Sequence, residues 1–291
     1  MRMSQQIMQS SRAPVGVFDS GVGGLTILGE LLRELPDERF LYFGDTGNCP
    51  YGVRPREEIQ LLAANAAQLL LDNRAKLIVV ACNAASVSAI THLRASFPHI
   101  EFVGVVPAVK PAAERSRAGK VGVAATEVSA RSEFLRQLIE QHASGVEVLA
   151  VGCPRLVTLA EAGQLEGPEV EEVIRGYIQP MLDAGIDTLV LGCTHFPAMR
   201  NAFELVAGAG VSVIDSGEAI ARRTRYLLTK LDLLAEPSMG PLASPRAPGF
   251  QDEFWCSGDA EHFSRVATMI LRSPVRAREV QGMLIKPGEV A

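Results

Sequence analysis

Short β-branched runs alternate with helical spacing along nearly the whole chain, and that alternation restricts the fold more than any other feature. Val15 to Phe18 reads as a strand, followed by Leu25, Leu28, Leu32 and Leu35 at helical spacing. Phe40 to Phe43, Leu77 to Ala81 and Phe102 to Val106 are further strands, and Ile59, Leu62, Ala63, Ala66, Leu69 and Leu70 mark one buried helix face among them. Strands separated by helices stack as βαβ units around a mainly parallel sheet. Pro107 interrupts the pattern, which then restarts with Val121 to Ala124, a helix from about Ser129 to Gln141, and a strand at Val146 to Val151. Val170, Val173, Ile174, Tyr177, Ile178 and Met181 trace another amphipathic helix, and Thr188 to Leu191 the next strand. The expected fold is α/β, with two similar lobes of mainly parallel sheet flanked by helices and the active site in the cleft between them.

The first lobe is expected over residues 13–106 and 212–272 and the second over 107–211, with Val211 to Ile214 and the helix after Gly217 returning the chain to the first. Residues 1–12 and 273–291 read as tails, the first of them flexible. Pro237, Pro241, Pro245 and Pro248, with Gly240 and Gly249, predict an irregular surface loop over 235–252. Phe254 to Cys256 and a helix through Leu271 close the fold.

At 47% apolar content, 291 residues can fill two modest cores. The net charge is −5 and the charges are interspersed, with no basic run that would trace a phosphate backbone, so no nucleic-acid partner is expected. Met1 to Arg12 is polar, and no stretch approaches the ~20 apolar residues of a membrane span. A cytoplasmic location without a membrane partner is the expectation. Five scattered cysteines with no CxxC pair argue against a disulfide scaffold or a zinc site.

Two of those cysteines stand out. LIVVACNAAS at 77–86 echoes TLVLGCTHFP at 188–197, and each segment sets a cysteine, Cys82 or Cys193, directly after an apolar strand. Side chains at the carboxyl ends of parallel strands line the ligand crevice, and a following helix N-terminus favours negative charge. A thiol there is normally packed as a small hydrophobe; two matched ones point to chemistry. Opposed thiols on two lobes could remove a proton from one face of a carbon and return one to the other. FDSGVGGLT, with Asp19 and Ser20, makes a strand-to-helix turn suited to a carboxylate. It matches neither the P-loop nor the dinucleotide fingerprint. Asp19 could act on Cys82. His195, two residues after Cys193, could poise that thiol, although a histidine at a strand end is more often structural.

VGVFDSGVGGLT, CPYGVRPREEI, VVACNAAS, GVVPAV and LGCTHFP, in this order over residues 15–197, together resemble the glutamate racemase branch of the aspartate/glutamate racemase superfamily. The resemblance implies a cofactor-independent enzyme, without pyridoxal phosphate or metal, that interconverts L- and D-glutamate and supplies D-glutamate for peptidoglycan. By that likeness Cys82 deprotonates D-glutamate with help from Asp19, and Cys193 deprotonates L-glutamate with help from His195 and Glu161. Substrate contacts carry over to Asp19, Ser20, Tyr51, Gly52, Asn83, Ala84, Thr194 and His195, and the family resemblance also allows a homodimer. Two positions depart from the pattern: Ala84 stands where threonine is usual, and Phe196 where tyrosine is common. The hydroxyl lost at Ala84 keeps aspartate or hydantoin racemases of the same superfamily as alternatives, and a non-catalytic acidic-metabolite binder is the alternative of another class.

Overall fold

The computed structural model describes residues 10–236 and 252–281. Within them the strands are β1 (Val15–Asp19), β2 (Phe40–Gly44), β3 (Leu77–Val80), β4 (Phe102–Gly104), β5 (Lys120–Ala125), β6 (Glu147–Gly152), β7 (Thr188–Gly192), β8 (Ser212–Ile214), β9 (Glu253–Cys256) and β10 (Ala277–Glu279). The α-helices are α1 (Leu25–Glu34), α2 (Arg56–Asp72), α3 (Asn83–Ser96), α4 (Val109–Arg115), α5 (Glu127–Ala130), α6 (Glu133–His142), α7 (Pro154–Glu161), α8 (Pro168–Asp183), α9 (Arg200–Ala207), α10 (Gly217–Lys230) and α11 (Ala260–Leu271).

The strands form two sheets, ordered β10-β9-β2-β1-β3-β4 and β6-β5-β7-β8, and every pairing is parallel. Helices cover both faces of each, which is why the central strands read as unbroken apolar runs. In the first lobe α1, α10 and α11 bury Leu25, Leu28, Leu228 and Phe263 on one face, while α2 and α3 bury Ile59, Leu62, Ala66 and Leu93 on the other. In the second lobe α7, α8 and α9 bury Leu156, Ile174, Ile178 and Phe203 against one face, and α4 and α6 close the other with Val109, Ala112 and Leu135. The two-lobed α/β expectation holds.

Three elements differ from the sequence reading. β8 pairs with β7, through Thr188 with Ser212 and Val190 with Ile214, so the second sheet extends beyond residue 211 and the chain rejoins the first lobe only at α10. β10 pairs with β9, so residues 277–279 belong to the first sheet and not to a tail. The helix expected from Ser129 to Gln141 is two helices, because Thr126 and Ser132 each act as an N-cap: Thr126 Oγ1 accepts from the Ser129 N–H and Ser132 Oγ from the Leu135 N–H. Most of the tail at 1–12, most of the loop at 235–252, and residues 282–291 lie outside the described residues.

At the amino-terminal pole of the first sheet, Lys76 is buried with Glu38, Nζ to Oε2 2.5 Å, and also donates to the Ser11 carbonyl. Removing one partner of such a buried pair costs about 3–5 kcal/mol. This anchor lies at the start of β3, so the opposite pole carries the cysteines. No described helix is long and apolar enough to cross a membrane.

Candidate active site

Parallel strands deliver their last residues to one pole, and both lobes turn that pole toward a shared cavity. Asp19 ends β1, Cys82 follows β3 as the N-cap of α3, and Cys193 follows β7. Cys82, Asn83, Ala84 and Ser20 line the cavity from the first lobe, and Cys193, Thr194 and His195 from the second. The 3₁₀ turn Tyr51–Val53 contributes Tyr51 and Gly52 to the same wall. The cavity is narrow, about 20 Å³, room for roughly one water.

On the first wall the Cys82 thiol lies 3.7 Å from Ser20 Oγ and donates toward it. Asp19 sits behind, fully buried; its Oδ2 accepts from the N–H groups of Gly24 at 2.8 Å and Gly21 at 3.4 Å, while Oδ1 has no hydrogen-bond partner among the described residues. Burial, partly opposed by the charge of His195, pushes the Asp19 carboxyl up. Burial and then the neighbouring Asp19 charge push the Cys82 thiol well above its usual range, so this sulfur rests protonated.

The second wall is built differently. Cys193 Sγ is 3.6 Å from His195 Nδ1, and His195 Nε2 is 2.6 Å from Glu161 Oε1. Burial opposes charge on the imidazole, but the bonds to Cys193 and Glu161 outweigh it and hold the ring's pKa well above the ordinary histidine value. Glu161 is correspondingly held below the usual carboxylate range: burial alone would raise it, and the bond to His195 reverses that. An imidazolium has only N–H donors, so one proton points at Glu161 and the other at the Cys193 sulfur.

The lobes meet through contacts that sequence spacing does not show. Glu161 Oε1 also accepts the Val22 N–H from the first lobe at 2.9 Å, and Thr26 Oγ1 donates to the Thr194 carbonyl at 2.9 Å. Gly21 and Gly23 permit this approach, since a Cβ would stand 1.9 Å from Glu161 Oε1 at the first and 2.5 Å from His195 Nδ1 at the second.

Tyr51 has its hydroxyl committed to Asp45 Oδ2 at 2.6 Å, and Asp45 also binds Asn48 and Ser257, so Tyr51 offers its ring to the cavity. Phe196 is buried against Phe203, ring centroids 5.6 Å apart, in a place that demands no hydroxyl. Thr126 was missed by the sequence reading, yet it follows the apolar strand β5 as Cys82 and Cys193 follow theirs, and it lines the cavity opposite Gly52. Among the described residues one group brings metal-ligating atoms together, Cys49, Glu161 and His195, within 4.8 Å. The direct His195–Glu161 hydrogen bond accounts for two of them, and a hydrogen bond between the Cys49 thiol and the Glu161 carboxylate for the third.

Comparison with known proteins gives the family of the chain. The model of the Asp/Glu/Hydantoin racemase family matches residues 28–224. The chain is 44% identical over 253 residues to a glutamate racemase of Herpetosiphon aurantiacus, covering 87% of this chain and 96% of that protein. It is 42% identical over 263 residues to one of Pseudomonas putida, covering 90% and 96%. Glutamate racemase of Francisella tularensis in complex with D-glutamate superposes with a TM-score of 0.79 at 30% identity, covering 93% of this chain and 98% of that one. The Escherichia coli glutamate racemase, in complex with L-glutamate and the activator UDP-MurNAc-ala, gives a TM-score of 0.78 at 31% identity, covering 92% and 97%. With the two-sheet fold, the paired strand-end cysteines and these likenesses together, the chain belongs to the Asp/Glu/Hydantoin racemase family.

Proposed function

We propose that this chain interconverts L- and D-glutamate without a cofactor, using Cys82 and Cys193 as opposed proton-transfer groups. The observation that carries the reading is that each lobe sends one thiol, from the end of a corresponding strand, into the same narrow cavity. The relatives named as glutamate racemases, and the two solved structures with glutamate, support glutamate as the substrate.

The two walls suit the two halves of an inversion. With L-glutamate bound, Cys193, faced by the His195 imidazolium, takes the α-proton as the thiolate, while Cys82 delivers a proton to the opposite face. The product is D-glutamate, and the sulfurs have exchanged roles. From the resting form the reverse direction needs two proton shifts: Cys82 gives its proton to Asp19, buried beside it with a raised pKa, and Cys193 takes one from the His195 imidazolium that faces it. The N-terminal turn of α3 offers N–H groups of Asn83 and Ala84 to a substrate carboxylate. Exclusion of water from a cavity this narrow strengthens each of these contacts. Serine and threonine side chains, Ser20 and Thr194 with Thr126, supply the polar lining. The reading includes a cytoplasmic enzyme with no nucleic-acid or membrane partner, a homodimer as the assembly, and D-glutamate for peptidoglycan as the output.

Circular dichroism of glutamate solutions tests it. L-glutamate and D-glutamate should each decay to zero signal with the purified chain alone, and aspartate should turn over far more slowly. No decay from either glutamate enantiomer, or decay only after pyridoxal phosphate is added, would overturn the proposal.

A further inference from the structure

We infer that His262 is a positioning residue for the Cys193 half of the site: from the first lobe it clamps the main chain of Glu161, and so sets the carboxylate that orients His195. This inference rests on the two-cysteine reading above. His262 does not line the cavity and reaches the site only through Glu161.

The geometry is specific at each atom. His262 Nε2 is 2.7 Å from the Glu161 carbonyl oxygen, and the Arg265 guanidinium is 2.9 Å from His262 Nδ1. A guanidinium can only donate, so Nδ1 accepts and the ring proton sits on Nε2, the tautomer needed to donate to the Glu161 carbonyl. Glu161 is the last residue of α7, where carbonyls have lost their intrahelical partners. The helix end therefore receives its cap from a side chain of the other lobe. The capping ring is itself held in place: Asp259 Oδ1 accepts the N–H groups of Glu261 at 2.9 Å and His262 at 3.0 Å, and the preceding Gly258 N–H bonds Thr46 Oγ1 at 3.1 Å.

Glu161 is consequently gripped by the first lobe at both ends, its carbonyl by His262 and its carboxylate oxygen by the Val22 N–H, while that same oxygen meets His195. Gly163 tightens the seat, since a Cβ there would stand 3.3 Å from Val266 on α11. Releasing the carbonyl leaves α7 free to shift, and a displacement of about 1 Å in a catalytic group can cost on the order of 100-fold in rate. The defect should fall on proton transfer at Cys193 and spare that at Cys82.

Because the equilibrium constant of a racemisation is one, kcat/KM must fall equally in both directions, and direction alone cannot locate the defect. Isotope effects can. In the full chain, His262→Leu should lower kcat/KM about 10- to 100-fold. It should also raise the α-deuterium isotope effect measured from L-glutamate relative to that from D-glutamate. His262→Gln, which keeps an N–H donor, should restore most of the rate and the wild-type ratio of isotope effects. Arg265→Leu leaves the ring in place but frees its tautomer, so a smaller shift of the ratio in the same sense is expected even if His262→Leu fails to fold. Wild-type kcat/KM in a folded His262→Leu, or an unchanged isotope-effect ratio in Arg265→Leu, would overturn the inference. If the wild-type chain itself does not racemise glutamate, the functional reading fails instead, so the two failures are distinct.

Discussion

Glu161 Oε1 accepts two hydrogen bonds at once, 2.6 Å from His195 Nε2 in its own lobe and 2.9 Å from the Val22 N–H of the other. One oxygen thus ties the contact between the lobes to the histidine beside Cys193. The contact between the lobes and the orientation of the His195 ring thus share a single atom.

The Glu161–His195 pair has a definite signature in pH. Burial works against both charges; the bonds to Cys193 and then to Glu161 overcome it and raise His195, and the bond to His195 overcomes it and lowers Glu161. A raised folded-state histidine contributes stability fully below its unfolded value near pH 6.5, and that contribution is lost as pH climbs through the folded value. A lowered carboxylate contributes above about pH 4.3 and is lost as pH falls through its folded value. The Tm difference between the wild type and Glu161→Gln should accordingly be largest between roughly pH 4.5 and 6.5 and shrink as pH climbs through the raised histidine value. A difference that is flat, or that widens above neutrality, would contradict the ion pair.

Gly23 should tolerate no side chain without loss of activity. Its missing Cβ leaves room for His195, whose Nδ1 would otherwise lie 2.5 Å away. Gly23→Ala is expected to reduce kcat by about 100-fold through displacement of the ring. The far-ultraviolet circular dichroism should stay unchanged, because the strain falls on a side chain and not on the sheet. Near wild-type turnover in that variant would mean that the position of His195 is not critical.

The strand-end cysteines were legible because parallel strands buried on both faces write themselves as apolar runs, and VVAC and VLGC finish two of them. Ser132 shows the limit of periodicity: the apolar spacing from 129 to 141 runs through it, but its side chain caps a new helix. β8 has three residues, too few for its sequence to say which sheet it joins. Glu161 was named only by resemblance, since TLAEAGQ could equally be a solvated helix end. The contacts of Val22, Thr26 and His262 arise from docking of one lobe on the other, which local spacing does not encode. Thr126 was readable, a polar residue closing the apolar run VGVAA, but it carries no thiol to draw notice.

Ala84 offers a test of substrate choice. It is buried at the start of α3 and lines the cavity. Ser86 does not stand in for the missing hydroxyl, because it donates to the Val80 carbonyl at 3.1 Å and accepts the Val105 N–H at 2.9 Å. A hydrogen bond to a charged group contributes about 1.5–3 kcal/mol, one to two decades in affinity. Ala84→Thr should therefore improve kcat/KM for glutamate by about 10- to 100-fold, mainly through KM. Loss of glutamate turnover in that variant, with a parent that prefers another amino acid, would identify Ala84 as a determinant for a different substrate.

The central claim, two thiols acting from opposite faces, is tested most directly by following each enantiomer through early turnover in D2O. Thiol protons exchange with solvent, so the product pool should carry deuterium at the α-carbon from the first turnovers while the remaining substrate pool keeps its original proton. Starting from L- or from D-glutamate should give the same pattern, and Cys82→Ala and Cys193→Ala should each abolish product formation. Product that retains the substrate's own α-proton would show a single base serving both faces, and would contradict the account.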